Sequence, residues 1–287
     1  MSSMRDIARR KASIQSTGQI TKAMKLVSTV KFQKARVKAE STKPYFDYMY
    51  ATVSSILART ENINHRYLDT SGSVKKAIIL ITSNRGLAGG YNSNVVKLVT
   101  ADDSFKPEDI LLYTVGSKGR DSLLKKGYEG KKDFSEVLNQ PIYQDAKVIG
   151  TEVLQAFENG EIGEIYLAYT QFKNTVSQTP KMVKLLPVEI NEHLKSQQSA
   201  VIPMNFEPKE EEALDLIIPK YICSLIYGAL MEAAASENGA RMTAMDSATN
   251  NADELIDELE LKYNQARQSA ITNELTEIIA GAEAAQA

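Results

Sequence analysis

The sequence is poor in the residues from which small catalytic and metal sites are usually built. It has one cysteine, Cys223, and two histidines, His65 and His193. A single cysteine forms no internal disulfide. With only two histidines beside it, a Cys/His zinc site is excluded and a histidine-centred triad is disfavoured. Lone cysteine usage fits a reducing compartment. Long apolar runs are also missing. The longest uncharged one, Tyr221 to Met231, lies between Lys220 and Glu232. It falls short of the roughly 20 residues that cross a bilayer. The first residues are basic but lack an apolar h-region, so no signal peptide is expected. Nor is there an overall excess of charge. Of the 287 residues, 34 are Lys or Arg and 36 are Asp or Glu, for a net charge of -2. That balance gives no global basic field for nucleic acid.

What is present is unevenly distributed. Residues 1–43 carry eleven basic and two acidic groups, a local charge of +9. Residues 207–287 carry sixteen acidic and five basic groups, a local charge of −11, and the middle is neutral. Both charged ends read as long helices. From Ser3 to about Leu57 only Gly18 and Pro44 interrupt good helix formers. Ile20, Ala23, Val27 and Val30 recur at helical spacing, with Ser13 and Ser16 continuing that face. From Glu210 onward there is one proline, Pro219, and Met245, Ala248, Ala252, Leu255 and Leu259 repeat in 3-4 steps. Such a seam asks for a partner helix. A rod of that length, about 110 Å at 1.5 Å per residue, is not buried by a compact domain of this size. The oppositely charged N-terminal helix is the expected partner, although each exposed pair is worth only tenths of a kcal/mol.

The middle alternates strand and helix. Lys76 to Thr82, Ile110 to Val115, Glu164 to Phe172 and Met182 to Ile190 read as strands; helices follow Ser83–Asn94 and Gly116, and Asp145 to Glu158 reads helical. This order predicts an α/β layer with a mostly parallel sheet. The loop Arg85-Gly86-Leu87-Ala88-Gly89-Gly90-Tyr91 could dock a phosphate on a helix N-terminus. It matches neither G-x-G-x-x-G nor G-x-x-x-x-G-K-[ST], so a tight strand-to-helix turn is the alternative. Gly116-Ser117-Lys118-Gly119 poses the same choice. The acidic runs Glu210–Glu212 and Asp257–Glu260 read as solvated helix faces, so no acid/base pair stands out. The basic first segment has few aromatics before Tyr45, which weakens a single-stranded nucleic-acid reading. Ser236 to Ala252 mixes small residues, two methionines and a solitary Arg241, a composition suited to a re-packing surface. The end, Glu277 to Ala287, is small and nearly uncharged, as if it sits against something.

Four segments together resemble one known family: Ile20–Val27, Ser83–Asn92, Ser236–Ala252 and Ala266–Ala282. They are spread along the chain in the order found in the gamma subunits of F-type ATP synthases. The resemblance implies an antiparallel coiled coil of N-terminal (1–57) and C-terminal (209–287) helices around a Rossmann-like α/β domain (75–200). It implies no catalytic residues, cofactor or metal. The implied role is a rotor shaft inside a hexamer of three alpha and three beta subunits, with its foot on the epsilon subunit and the membrane c-ring, coupling ion flow to ATP synthesis or hydrolysis. Carried over by position, Met24, Lys25 and Arg241 would pass the lower parts of the beta subunits. Arg267, Gln268, Thr272 and Glu274 would meet beta loops near the nucleotide sites. Residues 275–287 would be a tip in an apolar bearing, and Phe206 and Glu207 would rest on the ring. The sequence has no inserted cysteine pair, so a chloroplast-type thiol switch is not implied. It opens directly on the helix, as expected of a bacterial protein peripheral to the cytoplasmic face of the membrane. Asn84 and Ala88 stand where members often carry acidic and Cys or small residues.

Overall fold

The computed structural model describes residues 4–59, 65–69, 72–174, 177–188 and 210–286. Helix α1 (Met4–Arg59) continues through Pro44. It is followed by β1 (Lys76–Ile81), α2 (Tyr91–Thr100), β2 (Ile110–Val115), α3 (Ser117–Leu124), β3 (Glu129–Asp133), α4 (Tyr143–Glu158), β4 (Glu164–Phe172) and β5 (Gln178–Leu186). Helix α5 (Glu210–Gln286) closes the chain. Two compact units result, one made of Met1–Val27 with Met242–Ala287, the other of Ser28–Arg241.

In the second unit the strands form one sheet in the order β3-β2-β1-β4-β5. β1 pairs in parallel with both β2 and β4, and β3 adds in parallel to β2. β5 returns antiparallel beside β4. Strand alternation sorts the side chains of β1. Ala77, Ile79 and Ile81 enter a core built from α1, α4 and the early turns of α5. Ile78 and Leu80 point the other way, into a core with Val95, Val99 and Leu123 of α2 and α3. A sheet buried on both faces explains why β1 and β2 read as unbroken apolar runs.

Within the larger core α5 supplies Leu214, Ile218, Ile222, Ile226 and Leu230 at 4-residue steps. By length and composition alone α5 is apolar enough to cross a membrane, but more than half of its most apolar stretch is buried inside the protein. Cys223 is buried there, which pushes its thiol above the ordinary range. Gly150 of α4 gives it room, since a Cβ at that position would sit 2.7 Å from Cys223 Sγ. Arg66 ties the loop after α1 to both neighbouring helices, 2.9 Å from Asp215 and 3.4 Å from Glu158. Buried His65 faces Asp215 at 3.1 Å.

One strand boundary departs from expectation and one strand was not expected. The last strand is Gln178–Leu186 rather than Met182 to Ile190, because its pairing with β4 begins at Phe172↔Gln178 and Pro187, which has no N–H to donate, follows Leu186. Residues 189 and 190 lie outside the described residues. Strand β3, Glu-Gly-Lys-Lys-Asp, is fully exposed and carries no apolar alternation to announce it.

The turn from β2 into α3 depends on glycine. Gly116 has φ 115 and a Cβ there would lie 2.3 Å from the Thr82 carbonyl oxygen. Gly116→Ala is therefore expected to destabilise the second unit by about 2 kcal/mol or more, through both strain and clash. Thermal unfolding followed by near-UV circular dichroism would show it; an unchanged Tm would mean that the turn tolerates a side chain.

Candidate functional site

The first unit is an antiparallel helix pair whose register is fixed by four contacts. Lys11 Nζ lies 3.3 Å from Glu260, and Lys25 Nζ donates to Asp246 at 2.5 Å. The Thr21 and Thr249 hydroxyls are hydrogen-bonded at 2.8 Å. A Cβ on Gly18 would stand 3.3 Å from that of Ala252, so the backbones approach closely there. The seam of α1 consists of Ile7, Lys11, Ile14, Gly18, Thr21 and Lys25, in alternating 4 and 3 steps. On α5 it consists of Met245, Thr249, Ala252, Ile256, Leu259, Tyr263 and Ala266.

This corrects the expected seam. Ile20 and Val27 are each 58% exposed, and with Ala23 they form the outer face of α1, roughly opposite the seam on the helical wheel. On α5 Met245, Ala252 and Leu259 face the partner, but Leu255 is 41% exposed and Ile256 takes its place. The true seam of α1 is small and polar, and the apolar residues lie outside. Lys25 uses its stem and its charge within the pair, and Met24 beside it is half-buried. With both Lys25 and Asp246 partly exposed, that ion pair contributes at most about 1 kcal/mol.

Beyond Ala266 the seam of α5 has run past the first described residue of α1, and every described position from Arg267 to Ala282 is exposed. Ile271, Leu275, Ile278 and Ile279 lie within an arc of about 100° on that segment. Arg267, Thr272 and Glu274 flank the same arc, and Gln268 lies within it. The stripe does not continue the seam, which would run through Ala270, Asn273 and Glu277, roughly 150° away. An extended α1 would leave it uncovered. Thr272 and Thr276 spend their hydroxyls on Gln268 O and Thr272 O, one turn back, at 3.0 and 2.8 Å. Contiguous exposed apolar surface of this kind marks an interaction site. Phe206 and Glu207 lie outside the described residues.

In the second unit the carboxyl ends of β1 and β4 form the crevice in which α/β sheets of this topology bind ligands. Here α5 occupies it. Ser236 Oγ donates to Thr170 O at 3.2 Å, the Phe172 amide donates to Glu232 at 3.3 Å, and Tyr91 Oη donates to Ala233 O at 3.3 Å. Burial raises the Tyr91 phenol well above its usual range, and neighbouring Glu237 adds to the shift. Arg241, 9% exposed, pairs with Glu237 at 2.8 Å and donates to the Arg85 and Gly86 carbonyls at 3.3 and 3.4 Å. The α3 N-terminus is likewise spent. Ser117 N donates to Asn84 Oδ1 at 3.0 Å, Lys118 N to Ser83 O at 3.1 Å and Gly119 N to Thr82 Oγ1 at 3.0 Å. Those amides hold protein oxygens, so the Gly116–Gly119 turn offers none of them to a phosphate. Of the predicted contact residues, Arg241 is thus in the second unit, while Met24, Lys25, Arg267, Gln268, Thr272 and Glu274 are in the first. The Arg241–Arg85 contact was not foreseen, although an isolated arginine among small residues was its signal.

The ATP synthase family model matches residues 3–285. The ATP synthase gamma chain of Lachnoclostridium phytofermentans is 64% identical over 290 residues, covering 99% of both chains. The sodium-ion-specific ATP synthase gamma chain of Acetobacterium woodii is 42% identical, covering 98% of each. The chain belongs to the ATP synthase gamma-chain family. As a member it is the rotor-shaft subunit of an F-type ATP synthase and is not itself catalytic. Solved structures agree on the fold. A chain of the Euglena gracilis mitochondrial ATP synthase matches with a TM-score of 0.69 at 20% identity, covering 98% of this chain and 94% of that one. A second, from the rotor of the same enzyme, gives 0.64 at 17% identity, covering 93% and 98%.

The corrected seam is testable within this gamma chain. Leu259→Ala should destabilise the helix pair by about 2 kcal/mol, and Leu255→Ala by clearly less. Amide exchange of residues 245–266 reads the difference; equal effects would restore Leu255 to the seam.

Proposed function

We propose that the chain turns inside a hexamer of three alpha and three beta subunits, with its foot on the epsilon subunit and the membrane c-ring, at the cytoplasmic face of a bacterial membrane. The observation that carries this reading is the apolar stripe Ile271–Ile279, uncovered within the chain and set off from the coil seam. Its surroundings are the residues assigned to beta contacts: Arg267, Gln268, Thr272 and Glu274, with residues 275–287 as the tip in its bearing. Met24 and Lys25 face the lower beta regions lower on the shaft. Arg241 acts there through the loop it holds. Phe206 and Glu207 meet the ring. Residues 1–57 and 209–287 form the shaft, and 75–200 the foot.

Work is transmitted through shape. The outer face of the helix pair is uneven, with Ile20, Ala23 and Val27 on one side and the Asp253–Glu254 and Asp257–Glu258 acids on α5. Each of the three catalytic subunits therefore meets a different surface. A subunit that binds one nucleotide state better against its own sector is shifted toward that state, and rotation exchanges the sectors in turn.

Reconstitution with matching alpha and beta subunits tests the proposal. ATPase activity of the mixture should depend on this chain; independence from it would defeat the rotor reading. In the same assay the pair Leu275→Ser and Ile279→Ser should leave the Tm of the isolated chain nearly unchanged, as exposed substitutions do, yet lower assembly or coupled ATP synthesis severalfold. Full coupling in that variant would show that the stripe is not the bearing.

A further inference from the structure

We propose that Arg241 is a positioning residue: with Glu237 it latches the loop Arg85–Gly90 onto α5, so that the loop and its exposed tip Leu87 are carried rigidly by the shaft. This rests on the rotor reading above and adds a part to it.

Of residues 85–90 only Ala88 buries its side chain, with its carbonyl accepting from the Tyr91 amide at 3.1 Å. Gly86, Gly89 and Gly90 bring no side chains that could pack it. Leu87 is the one non-glycine residue at positive φ among the described residues, at φ 61, where a bulky side chain is sterically disfavoured. It is nonetheless 62% exposed, so its own burial does not offset that strain. Such a conformation persists only where the surroundings over-determine it. The loop ends are fixed, at one side by Ser83 and Asn92, whose side chains bond each other and the Ser83 amide at 2.8 to 3.0 Å, and at the other by buried Tyr91 on Ala233. In its middle the Arg85 carbonyl accepts from Ser83 Oγ at 2.6 Å, and the Arg241 guanidinium adds the tie to α5, reaching the Arg85 and Gly86 carbonyls with one arm and Glu237 with the other. Both side chains of the ion pair are nearly buried, so the pair is little screened and the fork is fixed in direction. Burial works against the charge on Glu237, and Arg241 is the largest influence that opposes it, so each member of the latch depends on the other. Arg241 is also the last residue of its compact unit, so the loop is fastened where α5 leaves the sheet.

The test uses the assembled complex in vesicles, reading amide exchange over residues 84–90 together with the membrane potential generated per ATP hydrolysed. Arg241→Gln should speed loop exchange roughly ten- to a hundredfold, as loss of a buried charged donor does, while exchange in β1, α2 and the 214–235 stretch stays as in the parent and coupling falls. Arg241→Lys should recover only part of both, because one ammonium cannot span the fork. Unchanged loop exchange, or an equal acceleration through the whole core, overturns the latch. If Arg241→Gln prevents folding, Leu87→Asn carries the test at an exposed site. Asn accepts positive φ, so its loop should exchange more slowly than the parent, and equal or faster exchange counts against the proposal. Failure of the rotor reading is seen separately, as ATPase activity that does not need this chain.

Discussion

The packing of α5 across the carboxyl ends of β1 and β4 is the constraint on which the rest of the structure depends. Leu214 to Leu230 form one wall of the larger core, and Ala233, Ser236 and Arg241 continue as polar contacts to the strand ends and the glycine loop. The same helix then supplies the seam Met245 to Ala266 and an uncovered apolar stripe. Three successive environments are imposed on one element by its changing composition: long aliphatics, then small and polar residues, then a one-sided stripe.

That constraint also explains why an α/β sheet here does no chemistry. A crevice at the strand ends is useful to an enzyme because its helix N-termini and loop amides are free to bind anions. In this chain the α3 amides are taken by Thr82, Ser83 and Asn84, and the glycine-loop carbonyls are held by Arg241. The α3 amides that would recognise a phosphate have become fasteners. The glycines give the chain room to pass close to itself, as at Gly116 beside Thr82.

Much of this was legible in the sequence. β1 and β2 were readable because burial on both faces makes them nearly unbroken apolar runs, β4 because it is rich in aromatic and aliphatic residues, and the two terminal helices because good helix formers run on either side of Gly18, Pro44 and Pro219. Strand β3 was not, since Glu129 to Asp133 contribute backbone pairing and no buried side chain. The seam of α1 was misread for a physical reason. Apolar periodicity locates the face that wants covering, but Gly18, Thr21 and Lys25 pair with α5 through close approach, a hydroxyl bond and a charge. Ile20, Ala23 and Val27, the more apolar face, stay exposed. The charge split between the ends was a sound guide to pairing, since Lys11–Glu260 and Lys25–Asp246 join a basic helix to an acidic one. For the tip, only the family resemblance implies partners, because an exposed stripe names no occupant.

The chain works by turning as a shaft. Cys223 is buried, so a cysteine introduced at exposed Lys131 on β3 can be labelled selectively. A bead attached there, on chains assembled with surface-fixed alpha and beta subunits, should rotate stepwise in one direction when ATP is supplied and stop when it is withdrawn. Steady ATP hydrolysis with the bead stationary, in complexes shown to contain the chain, would contradict the account.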